Sequence, residues 1–239
     1  GPHAPHTVNA EDLKLISALS EQYDLPVSMH VAETEKEFLE FEDKYGLTPI
    51  EYLDSIGMLN ERFIAAHAIF VTDSDIALMK ERDIGVSHNM VANIKSAKGL
   101  SPALQMHDLG LRVGLGTDGP MSGNTLDIIG QMGYVAKLHK LDNNDRTVMP
   151  PIKVVEMATI GGARAIHREN ELGSIETGKL ADVVVVEVQS ANMVPIYNPY
   201  SALVYSANAS NVATVIVNGK VIVKNKVLQT YDETKSRQM

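Results

Sequence analysis

Cysteine is absent from the 239 residues. Disulfides and thiolate metal ligands are therefore excluded, and only His, Asp and Glu remain to hold a metal. No apolar run approaches the roughly eighteen residues of a membrane span, and the opening Gly1-Pro-His-Ala-Pro-His6 lacks the basic and apolar regions of a secretory signal. A soluble protein without a membrane partner is expected, and the cytoplasm is the expected compartment. Clustered positive charge is missing as well: the formal net charge is −9 and the lysines are spread through helical stretches, so nucleic acid is not an expected partner. The sequence has no repeat of short period, no low-complexity segment and no long linker. It begins without methionine on a turn-like Gly1-Pro2, which reads as the start of a fragment of something longer.

What is present is an alternation of short β-rich apolar runs with amphipathic helical stretches. Pro26 to His30 precedes a helix near Thr34 to Tyr45, and Phe63 to His67 precedes one from Asp73 to Arg82; Gly85 to His88 and Val113 to Thr117 are also followed by helical pattern. This order predicts parallel βαβ units. Asn9 and Thr72-Asp-Ser-Asp75 are helix-start signals. After about residue 170 strands are expected to dominate, in Leu180 to Glu187, Ser201 to Tyr205, and Val212 to Val217, the last joined by Asn218-Gly219 to Val221-Ile-Val223. Asn-Gly between β-branched runs is a strong hairpin signal. Tyr231 to Met239 is expected to be frayed or a short helix.

His30, His67, His88 and Asp118 each fall at or just beyond the end of an apolar run. Such strand ends carry the chemistry of a (β/α)8 barrel, although only four or five strand-helix units can be counted, about half of what closure needs. Within His30-Val-Ala-Glu33, the imidazole together with the distant Asp118 can hold a divalent ion, while Glu33 can shuttle the proton that an activated water loses and a leaving group gains. Each residue also has an ordinary structural alternative. Glu33 can be a first-turn acid, Asp118 in Asp118-Gly119 a turn residue, and His67 and His88 hydrogen-bonded core histidines. Their joint placement on one rim favours the functional reading. His107, His139 and His167 lie in or beside helical patterns and are expected at the surface. Met79, Met132 and Met157 read as core filler, and Gly161-Gly162 fits neither a P-loop nor a dinucleotide fingerprint.

Several elements in order carry a family resemblance: Gly1-Pro-His-Ala-Pro5, His30-Val-Ala-Glu-Thr34, Ala66-His67, Ser87-His-Asn89 with Asn93 and Gly99, and Gly114-Leu-Gly-Thr-Asp-Gly119 with Ser122. Toward the end, Ala158 to Ala165, Gly173 to Asp182 and Val215 to Lys220 agree too. The chain resembles the amidohydrolase superfamily, and most of all its cytosine-deaminase-like branch of methylthioadenosine/S-adenosylhomocysteine deaminases and triazine chlorohydrolases. The resemblance implies an α/β fold. Residues 1–170 would be the C-terminal part of a TIM barrel, from about strand four or five to strand eight with the last helix, and 171–239 a small β-sheet segment of the composite β-domain.

It further implies that His30 and Asp118 are metal ligands, for zinc or alternatively iron or manganese, and that Asp118 also orients or deprotonates the water. Glu33 would be the proton shuttle. His67 would contact the attacking hydroxide or the substrate, His3 the purine nucleoside, and Ser122, Glu33 and Asp118 the substrate side. The implied reaction is addition of a metal-bound hydroxide to C6 of a purine with release of ammonia. Another amidohydrolase activity, as a chlorohydrolase or a guanine or cytosine deaminase, is the alternative; a silent assembly domain is an alternative of another class. The family's His-X-His ligand pair has no counterpart, since no two of the 8 histidines are one residue apart. His6 stands for a Tyr of the opening motif, and Met90 and Ala92 for a Pro and a Ser. The fragment is therefore expected to lack activity alone and to associate with its missing N-terminal half or form a homo-oligomer.

Overall fold

In the computed structural model, which describes residues 1–231, helix starts follow the caps the sequence supplies. Asn9, Thr34, Thr48 and Thr72 each accept a backbone N–H three residues on, at 2.9 to 3.1 Å, opening helices Ala10–Tyr23, Glu35–Tyr45, Pro49–Ser55 and Asp73–Glu81. Such caps contribute about 1 kcal/mol each by satisfying orphan amides of the first turn. Residues 232–239 lie outside the described residues, so the expectation for Tyr231 to Met239 is not addressed beyond Tyr231.

The expected parallel units form. β1 (Val27–Val31), β2 (Phe63–His67), β3 (Gly85–His88) and β4 (Arg112–Leu115) make one parallel sheet in chain order. Register assigns its two faces. Met29, Ala65, Val86 and Val113 are partners across the sheet and are all buried, which makes theirs the core face. His30, Ala66, Ser87 and Gly114 are likewise partners and share the opposite face. Met79, Met132 and Met157 are buried core residues, as their sequence context predicts.

The glycine pair Gly161-Gly162 serves packing. Helix Ile160–Ala165 lies against the strands so closely that a Cβ on Gly114 would sit 2.6 Å from the Gly162 Cα, and one on Gly85 1.8 Å from the Ala165 carbonyl oxygen. Only residues without a side chain permit that approach.

A second, antiparallel sheet follows, in the order β5 (Val183–Val186), β6 (Val212–Val217), β7 (Lys220–Lys224), β8 (Val227–Leu228). Its β6–β7 hairpin turns at Asn218 and Gly219, whose φ angles are 47° and 75°, the left-handed values an Asn-Gly turn accommodates. One expected strand is a helix instead. Ser201 to Tyr205 belongs to Pro199–Tyr205, capped by Asn198 with Pro199 in its first turn, and it buries Ala202 and Val204 beside helices Ile128–Asp142 and Pro151–Ala158. The Asn-Pro start signal outweighs the apolar run, which is too short to fix a strand by itself. No helix among the described residues is long and apolar enough to cross a membrane.

Candidate active site

Parity decides which strand-end residues meet. His30 lies on the face of Ala66 and Ser87, whereas His67 pairs with Val31 and His88 with Leu115, on the other face. His67 nevertheless joins His30, because its backbone turns left-handed at φ 75° just as β2 ends, and the two rings approach to 5.1 Å between centroids. Asp118 also has positive φ, 58°. Non-glycine residues held there cost on the order of 1–3 kcal/mol, a strain that fixed surroundings must offset.

His30, His67 and Asp118 offer ligand atoms that all lie within 4.8 Å of one another. The His30 Nε2 is 3.7 Å from Asp118 Oδ1, and the His67 Nε2 is 3.8 Å from Asp118 Oδ2 and 3.4 Å from Glu33 Oε1. His67 is fully buried, and its Nδ1 lies 2.7 Å from Asn93 Oδ1. With that oxygen as acceptor, the ring proton sits on Nδ1 and the Nε2 lone pair faces two carboxylates. Nε2 has no hydrogen-bond partner among the described residues. Burial holds His67 below its ordinary pKa, against the partial opposition of Asn93 and Glu33. A neutral imidazole lone pair directed at carboxylates in a buried site is satisfied by a cation between them, so these residues fit a divalent ion.

Burial alone would raise the Asp118 carboxyl. The Gly119 N–H, which donates to Oδ1 at 2.7 Å, the Ser122 hydroxyl and the His67 and His30 imidazoles outweigh it and hold the group below its usual range. Asp118 thus stays ionised, as a metal ligand must. Ser122, expected on the substrate side, sits against Asp118, and its carbonyl accepts from the Lys95 ammonium at 2.6 Å. His3 stacks edge-on to His30 at 5.1 Å, its carbonyl accepts the His30 N–H at 3.1 Å, and its ring remains exposed.

Two histidine expectations are corrected, one at a strand end and one on a helix. His88, on the core-facing parity, turns away from the cluster and meets His139, Nε2 to Nε2 at 3.2 Å. His139 is not a surface residue but 1 % exposed, because helix Ile128–Asp142 lays that position on the sheet. His107 and His167 are half-buried.

Two further residues serve Glu33. The buried Glu37 accepts the N–H groups of Ala32 and Glu33, both at 3.0 Å, and so fixes the turn that presents Glu33; burial raises its carboxyl, and those two amides partly offset the rise. Its signal was the Thr34-x-x-Glu37 spacing of a helix start. Lys98 forms an ion pair with Glu33 Oε1 across 65 residues of sequence, for which no local pattern exists.

Residues 1–222 match the profile of the amidohydrolase family. The chain belongs to this family. Among curated relatives, this amidohydrolase chain is 39% identical over 235 residues to a 5-methylthioadenosine/S-adenosylhomocysteine deaminase of Thermoanaerobacter pseudethanolicus, covering 98% of the chain and 54% of the relative. It is 41% identical over 233 residues to a 5'-deoxyadenosine deaminase of Methanothermobacter thermautotrophicus, with 98% and 54% covered. A zinc-bound adenosine deaminase from Xanthomonas campestris superposes with a TM-score of 0.94 at 35% identity, over 99% of this chain and 55% of that one. The zinc complex of an atrazine chlorohydrolase from Arthrobacter aurescens gives 0.90 at 23% identity, over 96% and 51%, a likeness of fold. The chain thus spans about half the length of the relatives it matches, and its four parallel strands are the C-terminal part of the family's barrel.

Proposed function

We propose that the protein carrying this chain is a metal-dependent hydrolytic deaminase of adenosine-type nucleosides, with methylthioadenosine or S-adenosylhomocysteine as the substrate class. The observation that carries the reading is the convergence of His30, His67 and Asp118 with Glu33 beside them. The deaminases among its relatives support the substrate class.

His30 and Asp118 would hold the ion, with the His67 Nε2 at the same centre, and zinc is the metal proposed because His and carboxylate donors suit it and similar chains carry it. When bound, such an ion lowers the pKa of a water toward about 7, supplying a nucleophile at neutral pH. Glu33 takes the proton that the attacking water loses and delivers it to the ring nitrogen next to C6; it then takes the second proton from the added oxygen and gives it to the departing amine. Asp118, kept ionised by its hydrogen bonds, accepts from the attacking water and aligns it. His67 acts through its unprotonated Nε2 at the ion, and the exposed His3 ring binds the nucleoside. Water is added at C6, ammonia leaves and a carbonyl remains, so atoms balance without a further reactant.

β1 and β4 are the outer strands of the parallel sheet. Their edges are proposed to pair with further barrel strands, from the rest of the same protein or from a second copy.

The test is ammonia release by the gene product that carries this sequence, assayed across adenine, guanine, cytosine and triazine compounds. Adenine nucleosides are expected to be turned over best, and Glu33→Gln to lower turnover by about 10²–10⁴-fold while zinc remains bound. An unmodified rate in Glu33→Gln would overturn the role of Glu33.

A further inference from the structure

One short helix and the turn after it serve both His67 and Glu33. Following helix Met90–Lys95, the chain reverses through Ala97 at φ 52° and Gly99 at φ 121°, and the Lys98 N–H donates to the Asn93 carbonyl at 3.0 Å. The turn is anchored to the end of β2, where the Ser101 hydroxyl donates to the Ala68 carbonyl at 2.9 Å. A Cβ on Gly99 would stand 3.2 Å from the Ile69 side chain, so the turn lies close against that loop. From this one rigid segment Asn93 reaches the His67 Nδ1 and Lys98 reaches Glu33.

Lys98 is unlike a solvated surface lysine. Its side chain is 30% exposed and that of Glu33 20%, and the backbone on either side of it is fixed. A mobile surface ion pair contributes little, whereas a partly buried one with a held backbone keeps its geometry. Both Lys98 and the His67 Nε2 approach the same carboxylate oxygen, Glu33 Oε1. The other oxygen, Oε2, makes no side-chain hydrogen bond among the described residues.

We propose that Lys98 is a positioning residue for the deamination: by pairing with Oε1 of Glu33 it fixes the rotation of the carboxylate beside the His67 Nε2, and so its place toward the attacking water and the ring nitrogen. The inference rests on the deaminase reading of Glu33 and names a residue that acts through it. Lys98 itself transfers no proton and touches no substrate. Proton shuttling between two acceptors needs one carboxylate oxygen at a set position, and an unpinned carboxylate spends part of its time rotated away.

The test uses Lys98→Met, Lys98→Arg, Glu33→Gln and the Lys98→Met/Glu33→Gln pair in the gene product that carries this sequence. Lys98→Met is expected to lower kcat by about tenfold or more, part of what acid-base catalysis supplies, with KM within about twofold, zinc content and Tm unchanged, and kcat largely restored in Lys98→Arg. In the Glu33→Gln background, Lys98→Met is expected to change nothing further, as for residues acting as a unit. Wild-type kcat in Lys98→Met, equal impairment in both lysine variants, or a full additive loss in the pair would overturn the proposal. Independently of turnover, the carboxyl 13C signal of Glu33, identified by its loss in Glu33→Gln, is expected to move in Lys98→Met and return in Lys98→Arg. An unmoved signal overturns the proposal whatever the protein acts on. A moved signal without ammonia release from any adenine nucleoside refutes the deaminase reading and leaves Lys98 as the group that holds Glu33.

Discussion

Asn93 Oδ1 lies 2.7 Å from the His67 Nδ1 and thereby sets which nitrogen of a fully buried imidazole is free to bind. The donor pair is 26 residues apart in sequence. One side-chain oxygen thus fixes the ring's tautomer and its direction, as outer partners of metal-site histidines do.

Replacing Asn93 should therefore weaken the metal without unfolding the chain. Asn93→Ala is expected to reduce zinc affinity by about 10–100-fold, while Asn93→Asp, which keeps the acceptor, is expected to lose much less. Titration with a competing chelator, alongside circular dichroism, measures both. Equal affinities in Asn93→Ala and the unmodified protein would mean that His67 is oriented by something else.

The His88–His139 pair makes the fold sensitive to acid. Burial pushes His88 down to about 3 and His139 to about 4, so both are neutral in the folded protein across the range where unfolded histidines gain a proton. Their contribution is complete above about pH 6.5 and is lost as pH falls from there toward the folded values, because the unfolded chain then binds more protons. At pH 5 the loss is on the order of 2 kcal/mol for each histidine. Urea unfolding from pH 7 to pH 4.5 should show this decline, and His139→Met should remove about one proton from its slope. A slope unchanged by that substitution would remove the pair as its source.

Gly114 is expected to tolerate no side chain. A Cβ there meets the Gly162 Cα at 2.6 Å and N at 3.1 Å, both backbone atoms that cannot rotate aside. Gly114→Ala should destabilise the fold by about 1–3 kcal/mol or more through overpacking, whereas Gly119→Ala, with nothing within 4 Å of its Cβ, should have little effect on Tm. Thermal unfolding of the two variants compares them directly.

The sequence by itself determined the parallel units, the caps at Asn9 and Thr72, the Asn218-Gly219 hairpin and the residues His30, Glu33 and Asp118, because these are local patterns of propensity and spacing. It misassigned Ser201 to Tyr205, where a helix start and burial of Ala202 and Val204 outweighed a short apolar run. The strand pattern alone does not separate His67 from His88, since both follow apolar strands, and only the family resemblance gave His67 a role; a left-handed turn at one and strand parity at the other decide which ring enters the site. Nor could it show that His139 is buried or that Glu37 and Lys98 attend Glu33. Those contacts depend on how strands register, how helix Ile128–Asp142 lies on the sheet and where a turn 65 residues away is anchored, and only tertiary packing sets them.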